Sequence, residues 1–209
     1  MIISPAMLKT FEECPKKYEF LYLNKISLPK NKYLFEKGKN IHSIANYFIK
    51  GFDIKKLENV LTSQEIPLWN YLKSTAYFKY DLLQSEYSLS IKLDDYWIGG
   101  RLDALVKNNE DYYVLDYKTG AIPKNPEYDY QTMIYLLCVD KLIKNYDSLT
   151  FVYLDLKNKT ESSVKLNEIL KKAYKEKILS VLQKISYIES NNKILRNNKC
   201  KCDYYCICQ

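Results

Sequence analysis

A change of hydrophobic period near residue 85 constrains the fold of this chain more than any other feature. Before it, apolar residues recur at helical spacing. From there SEYSLSIKL (85–93) alternates polar and apolar as a half-buried strand does. Asp94-Asp95 marks a turn, YWIGGRLDALV (96–106) a second strand, Asn108-Asn109 another turn, and YYVLDYKT (112–119) a third strand. Turns this short make the three strands an antiparallel meander. Upstream, Ser4-Pro5 is a helix start, with Ser4 as N-cap and Pro5 in the first turn. That helix carries Met7, Leu8 and Phe11 and stops near Cys14-Pro15; a second helical stretch presents Tyr18, Phe20 and Leu21. Residues 38–50 put Ile41, Ile44, Ala45 and Phe48 on one side of a helix, and 53–80 read as one or two more, broken near Pro67. Downstream, 128–143 is helical, 149–156 and about 160–166 are strands, and 167–190 is a long Lys-rich helix. The order predicts one mixed α/β domain with its two ends outside the core.

Several function classes are excluded or disfavoured by simple counts. The length, 209 residues, points to one domain, and five glycines without GxGxxG or GxxxxGK disfavour a glycine-rich phosphate loop. His42 is the sole histidine, which excludes HExxH-type zinc sites. No apolar run approaches the ~18 residues of a membrane span, and MIISPAMLKTFEE has no secretory pattern, so a soluble cytoplasmic protein is expected. The net charge of +7 favours a polyanionic partner, nucleic acid being the common one. An A+T-rich coding sequence would also enrich Lys, Asn, Ile and Tyr, and most of the 21 tyrosines read as core or surface filler.

Chemistry concentrates in the meander. Asp103 sits on an otherwise apolar strand, and Asp116 and Lys118, two apart, project to the same face of the next. Carboxylates from adjacent strands, with a backbone carbonyl between them, supply the oxygen ligands a hard divalent cation wants. An ammonium beside that ion can orient or deprotonate a water and offset charge on a phosphorane-like transition state. DYK alone reads as a surface ion pair; its neighbours change that reading. The six cysteines are Cys14, Cys138 in the apolar run MIYLLCV, and Cys200, Cys202, Cys206 and Cys208 in the last ten residues. Cys138 is a small core residue, whereas the terminal cluster reads as metal-binding before disulfide.

Five motifs in order resemble the PD-(D/E)XK nuclease superfamily, and within it the RecB-like branch, which includes the RecB and AddB nuclease domains and the small CRISPR-adaptation exonucleases. They are the opening with Ser4, Phe11, Cys14, Pro15 and Tyr18; Gly38 and His42 in GKNIH; Gly100 and Asp103 in GGRLDAL; Asp116, Lys118, Thr119 and Gly120 in VLDYKTG; and Gln131 and Tyr135 in QTMIY. The resemblance implies a restriction-endonuclease-like core, a mixed central sheet flanked by helices. It would comprise a helical part over 1–80, a catalytic core over 85–166, and a C-terminal helix and cysteine cluster over 167–209. It implies Mg²⁺ or Mn²⁺ held by His42, Asp103, Asp116 and the Tyr117 carbonyl, the imidazole tilting preference toward manganese. Lys118 would serve the attacking water, and Gln131 and Tyr135 would hold the nucleic-acid backbone or support the site. Glu86 is an outer-shell acid or a solvated strand end, and Arg101 pairs with phosphate or with a carboxylate.

The iron–sulfur members of the branch imply that Cys14 joins three C-terminal cysteines on a [4Fe–4S] cluster. Cys202 and Cys208 have the expected spacing, and Cys200 is preferred over Cys206 as the remaining ligand although it lies one residue too close. A four-cysteine zinc site is the alternative. The expected function is a metal-dependent deoxyribonuclease, an exonuclease on DNA ends or single strands, in repair or recombination or in CRISPR spacer acquisition with a partner from that pathway. The rivals are an inactive DNA-binding module and a zinc-stapled interaction domain.

Overall fold

In a computed structural model, residues 1–26, 28, 32–191, 194 and 202–208 are described. Helix α1 (Pro5–Glu13) starts as its sequence predicts: the Ser4 hydroxyl accepts the Met7 N–H at 3.3 Å, and Pro5 occupies the first turn. It ends at Cys14, whose backbone is extended because Pro15 follows, and α2 (Pro15–Tyr18) runs on into a π-helical turn over Glu19–Leu23. Next come α3 (Lys32–Ile49), the short α4 (Lys55–Glu58) and α5 (Glu65–Ser74). Pro67 does not break a helix. It lies in the first turn of α5, where a missing N–H leaves nothing unsatisfied, and the interruption is upstream. There Thr62 and Glu65 cap reciprocally, the Glu65 N–H on Thr62 Oγ1 at 3.3 Å and the Thr62 N–H on Glu65 Oε2 at 2.9 Å.

The expected meander is present as β2 (Asp81–Leu93), β3 (Tyr96–Asn108) and β4 (Asp111–Lys118), paired antiparallel in sequence order. Helix α6 (Tyr130–Leu142) crosses over to β5 (Ser148–Asp155), which runs parallel to β4, and β6 (Thr160–Lys165) turns back antiparallel before α7 (Glu168–Asn191). The result is a mixed sheet with helices on both faces. Val114, Phe151 and Tyr153 face α1, α6 and α7, while Leu115, Val152 and Leu154 face α3 and α5. Both faces of β4 and β5 are therefore buried, which is why LTFVYLDL reads as a continuous apolar run.

Residues 2–13 and α7 do not lie outside the core, contrary to the sequence expectation. Residues Ile2–Ile3 form a strand, β1, parallel to β3, and Met7, Leu8 and Phe11 share one apolar cluster with Tyr174, Ile178, Val181, Leu182 and Ile185 of α7. The reason lies in α6, whose residues from Thr132 to Val139 are all buried. A helix apolar all round must be covered on its outer side too, and α1 and α7 cover it.

β2 occupies one edge of β3 along nearly its whole length, so β1 and β4 share the other edge. β1 pairs at Trp97 and Ile98 and β4 only from Ala104 onward. Between these pairings a fork opens, spanning Gly99 to Asp103 on β3 and Asp116 to Lys118 on β4. Two glycines let neighbours close in on it. A Cβ at Gly99 would lie 2.2 Å from the Leu89 carbonyl oxygen, and one at Gly100 would lie 2.7 Å from the Tyr135 hydroxyl.

Candidate active site

Where β4 leaves β3, the Asp103 side chain takes the place of a ladder partner: its Oδ2 accepts the Tyr117 N–H at 2.7 Å. In an extended strand the N–H and C=O of one residue point the same way, so the Tyr117 carbonyl opens onto the same fork. The other Asp103 oxygen lies 3.1 Å from His42 Nδ1. His42 reaches it from α3, which buries Ile41, Ile44 and Ala45 against the sheet. One turn earlier, a Cβ at Gly38 would sit 3.0 Å from Thr119 Oγ1. The glycine lets α3 approach the end of β4, which explains Gly38 and His42 as a pair.

Glu86 completes this cluster from β2. Its flanking residues pair as Ser85–Ala104 and Tyr87–Leu102, so it stands across from Asp103, with φ at 48° in the left-handed region. Its Oε1 is 4.0 Å from His42 Nδ1, and Arg101 Nε is 3.0 Å from its Oε2. Ligand atoms of His42, Glu86 and Asp103 lie within 4.8 Å of one another. Of the two readings of Glu86, the solvated strand end is overturned.

Asp116, Lys118 and Gln131 form a closed ring. Lys118 Nζ lies 2.8 Å from Asp116 Oδ2 and donates to Gln131 Oε1 at 3.0 Å, while Gln131 Nε2 donates to Asp116 Oδ1. Gln131 is held in turn by Asp129, the N-cap of α6, which accepts its backbone N–H at 2.8 Å. Tyr135, one turn on, donates to the Arg101 carbonyl at 2.9 Å and so ties α6 to the stretch of β3 that β1 and β4 leave open. Asp116 is 4% exposed. Burial, reinforced by the nearby charge of Asp103 and opposed by Lys118, pushes its carboxyl up to about 6. For His42 burial disfavours the cation, but the hydrogen bond and charge of Asp103, helped by Asp116 and Glu86, outweigh it and raise the imidazole above its ordinary value.

The fork thus gathers His42, Asp103, Asp116, Tyr117, Lys118, Gln131 and Tyr135. One neighbour, Tyr153, gave no signal in the sequence, because it lies within an apolar strand. It sits opposite Asp116 in the β4–β5 register, its ring centroid is 5.6 Å from Lys118 Nζ, and its hydroxyl donates to Asp129 at 3.2 Å. Cys138 is fully buried, and burial pushes its thiol up to about 12, as a core cysteine should be. Cys14 is buried between α1 and α2. Cys200 lies outside the described residues. Among those described, Cys14, Cys202, Cys206 and Cys208 do not gather into a set of three or more ligands. The C-terminal segment nonetheless docks near α2: the Tyr204 ring stacks on Phe20 at 5.6 Å, and its hydroxyl donates to the Ile26 carbonyl at 2.8 Å.

A family model of the PD-(D/E)XK nuclease superfamily matches residues 2–209, and the chain belongs to that superfamily. No curated protein matches the sequence. A candidate exonuclease of known crystal structure from Eubacterium rectale is similar over 100% of this chain and 88% of its own, with a TM-score of 0.63 and 11% identity. That similarity reflects a shared fold. SSO0001 matches over 99% of this chain and 81% of its own at 16% identity, but with a TM-score of 0.43, too low to carry an argument. Among the described residues no helix is long and apolar enough to cross a membrane.

Proposed function

We propose that this nuclease-superfamily chain is a divalent-metal-dependent deoxyribonuclease acting as an exonuclease, with DNA as its substrate and partner. The observation that carries the reading is the fork itself, where carboxylates from two strands, an imidazole and one ammonium converge around a backbone carbonyl. The donors fit Mg²⁺ or Mn²⁺, because a carboxylate as buried as Asp116 beside a second one is an excess of negative charge that a cation would relieve. His42, Asp103, Asp116 and the Tyr117 carbonyl would hold the ion, which when bound supplies Lewis acidity toward water and the phosphodiester.

The chain's own groups do the rest. Lys118, held by Asp116 and Gln131, presents its ammonium at the fork, where it can orient the attacking water and offset charge developing on the phosphorane. Gln131 fixes that ammonium, and Tyr135 fixes the β3 backbone that carries Asp103. Glu86 serves as an outer acid that orients His42. The net charge of +7 helps retain the phosphate backbone, so binding should weaken with salt. The role is in DNA repair or recombination or in CRISPR spacer acquisition. The decisive test is cleavage of end-labelled single- and double-stranded DNA. Cleavage with Mn²⁺ that stops in EDTA is expected, and products shortened stepwise from an end would identify an exonuclease. Folded protein that binds DNA but never cuts it would instead favour an inactive binding module.

Cys14 with Cys200, Cys202 and Cys208 would hold a [4Fe–4S] cluster, Cys206 standing in for Cys200 and zinc for iron as alternatives. Docking of Tyr204 beside α2 supports a clamp between the chain ends. Protein purified without oxygen is expected to carry about four irons per chain, and Cys14→Ala to lose them. Stoichiometric zinc without iron would decide for the alternative.

A further inference from the structure

We infer that Arg101 is a phosphate clamp at the mouth of the fork, held ready for the DNA backbone by Glu86. The inference rests on the nuclease reading and adds to it a substrate-binding residue. Three negative groups, Glu86, Asp103 and Asp116, line the place where a phosphodiester would have to enter, so the approach of a polyanion needs a cation not already engaged. Lys118 is committed at 2.8 Å to Asp116 and at 3.0 Å to Gln131, and its side chain is 29% exposed. Arg101 differs in each respect: its side chain is 67% exposed and its ion pair with Glu86 closes at 3.0 Å through Nε. A guanidinium held by Nε keeps the four N–H donors of its two terminal nitrogens. Those donors match the oxygens of a phosphate.

The backbone supports this arrangement. Arg101 precedes Asp103 by two residues on β3, so both project from the same face of the strand. Its carbonyl accepts from Tyr135 at 2.9 Å, which pins the root of the side chain to α6. Glu86 reaches across from β2 through its left-handed backbone, with one carboxylate oxygen toward Arg101 and the other toward His42. A single carboxylate therefore links the phosphate-binding arm to the metal-ligating imidazole, and the arm is oriented before DNA arrives.

The test measures equilibrium DNA binding by fluorescence anisotropy in Mn²⁺, in a Lys118→Ala background so that the DNA stays intact. Adding Arg101→Ala is expected to weaken binding roughly ten-fold and to lower the slope of log affinity against log salt by about one. Arg101→Lys should recover the salt slope but only part of the affinity, since an ammonium cannot use Glu86 and phosphate together as the planar fork can. With Lys118 intact, Arg101→Ala should raise KM more than it lowers kcat. An exposed side chain is removed, so an unchanged melting temperature would show that the fold is preserved. Equal affinity and equal salt slope with and without Arg101 would overturn the clamp while leaving the nuclease reading standing. No DNA binding by the wild-type chain, with Lys118 and Arg101 both present, would overturn both.

Discussion

Alanine in place of Lys118 is expected to lower the rate of DNA cleavage by roughly 10³-fold, in the range that a positioned proton-transfer or charge-stabilising group supplies. The side chain makes two polar contacts, to Asp116 at 2.8 Å and Gln131 at 3.0 Å. Removing it takes from the fork the ammonium that lies 2.8 Å from the Asp116 carboxylate, and Gln131, which is neutral, cannot replace that charge. If Lys118 acts on the developing negative charge, kcat falls and KM changes little, because the contact strengthens only in the transition state. Single-turnover cleavage beside DNA binding would separate the two effects. A rise in KM alone would assign Lys118 to ground-state binding. The same substitution leaves Asp116 buried with, among the described residues, only the Gln131 amide as hydrogen-bond partner, so the metal-free variant should also be less stable at neutral pH by about 1–3 kcal/mol. Added Mn²⁺ should recover most of that loss.

Metal binding and cleavage should both fall steeply as pH drops through about 6, because the fork holds protons that an ion must displace. Asp116 has its carboxyl pushed up from an ordinary 3.8 to about 6, chiefly by burial and then by Asp103. His42 is raised as well, its burial overcome by Asp103, Asp116 and Glu86. Both groups are easier to protonate folded than unfolded. The stability they contribute is therefore present at low pH and is lost as pH rises through the folded values. The metal-free protein should melt higher near pH 5 than near pH 8. An ion that takes the place of those protons reverses the trend, so the rise in melting temperature on adding Mn²⁺ should grow with pH. Each proton released makes affinity change by about ten-fold per pH unit below its pKa. Calorimetric titration of Mn²⁺ in two buffers of different ionisation enthalpy would count the protons. A metal-induced stabilisation independent of pH between 5 and 8 would overturn this account.

Much of the frame was legible along the chain because its signals are local. Ser4 and Pro5 announce α1 by capping chemistry that involves only the next few residues. The period-2 segments and their Asp and Asn turns foretold the β2–β3–β4 meander. Pro67 misled, since a proline breaks a helix interior but suits a first turn, and which of the two applied depended on a cap that Thr62 and Glu65 build together. Two residues at an end carry no periodicity, so β1 could not be read; it exists because β3 offers an edge that β4 leaves open. Glu86 stayed open between two readings because alternation alone gives no hint of a left-handed residue inside a strand. Tyr153 was hidden because an aromatic residue in an apolar strand looks like core until the register sets it opposite Asp116.

The sequence by itself determined which chemical groups are available and their spacing within each strand or helix: Asp116 with Lys118, Gln131 with Tyr135, Gly38 with His42. Those pairs are set by the two-residue and four-residue periods of the backbone, which need no tertiary information. Only the tertiary structure decided that they meet. The fork opens because β1 and β4 claim different lengths of one edge of β3, and into it come His42 from α3, Glu86 from β2 and Gln131 from α6. Burial in that shared space raises Asp116 and brings the carboxylates of Glu86 and Asp103 together around His42, and no property of an isolated segment contains either effect.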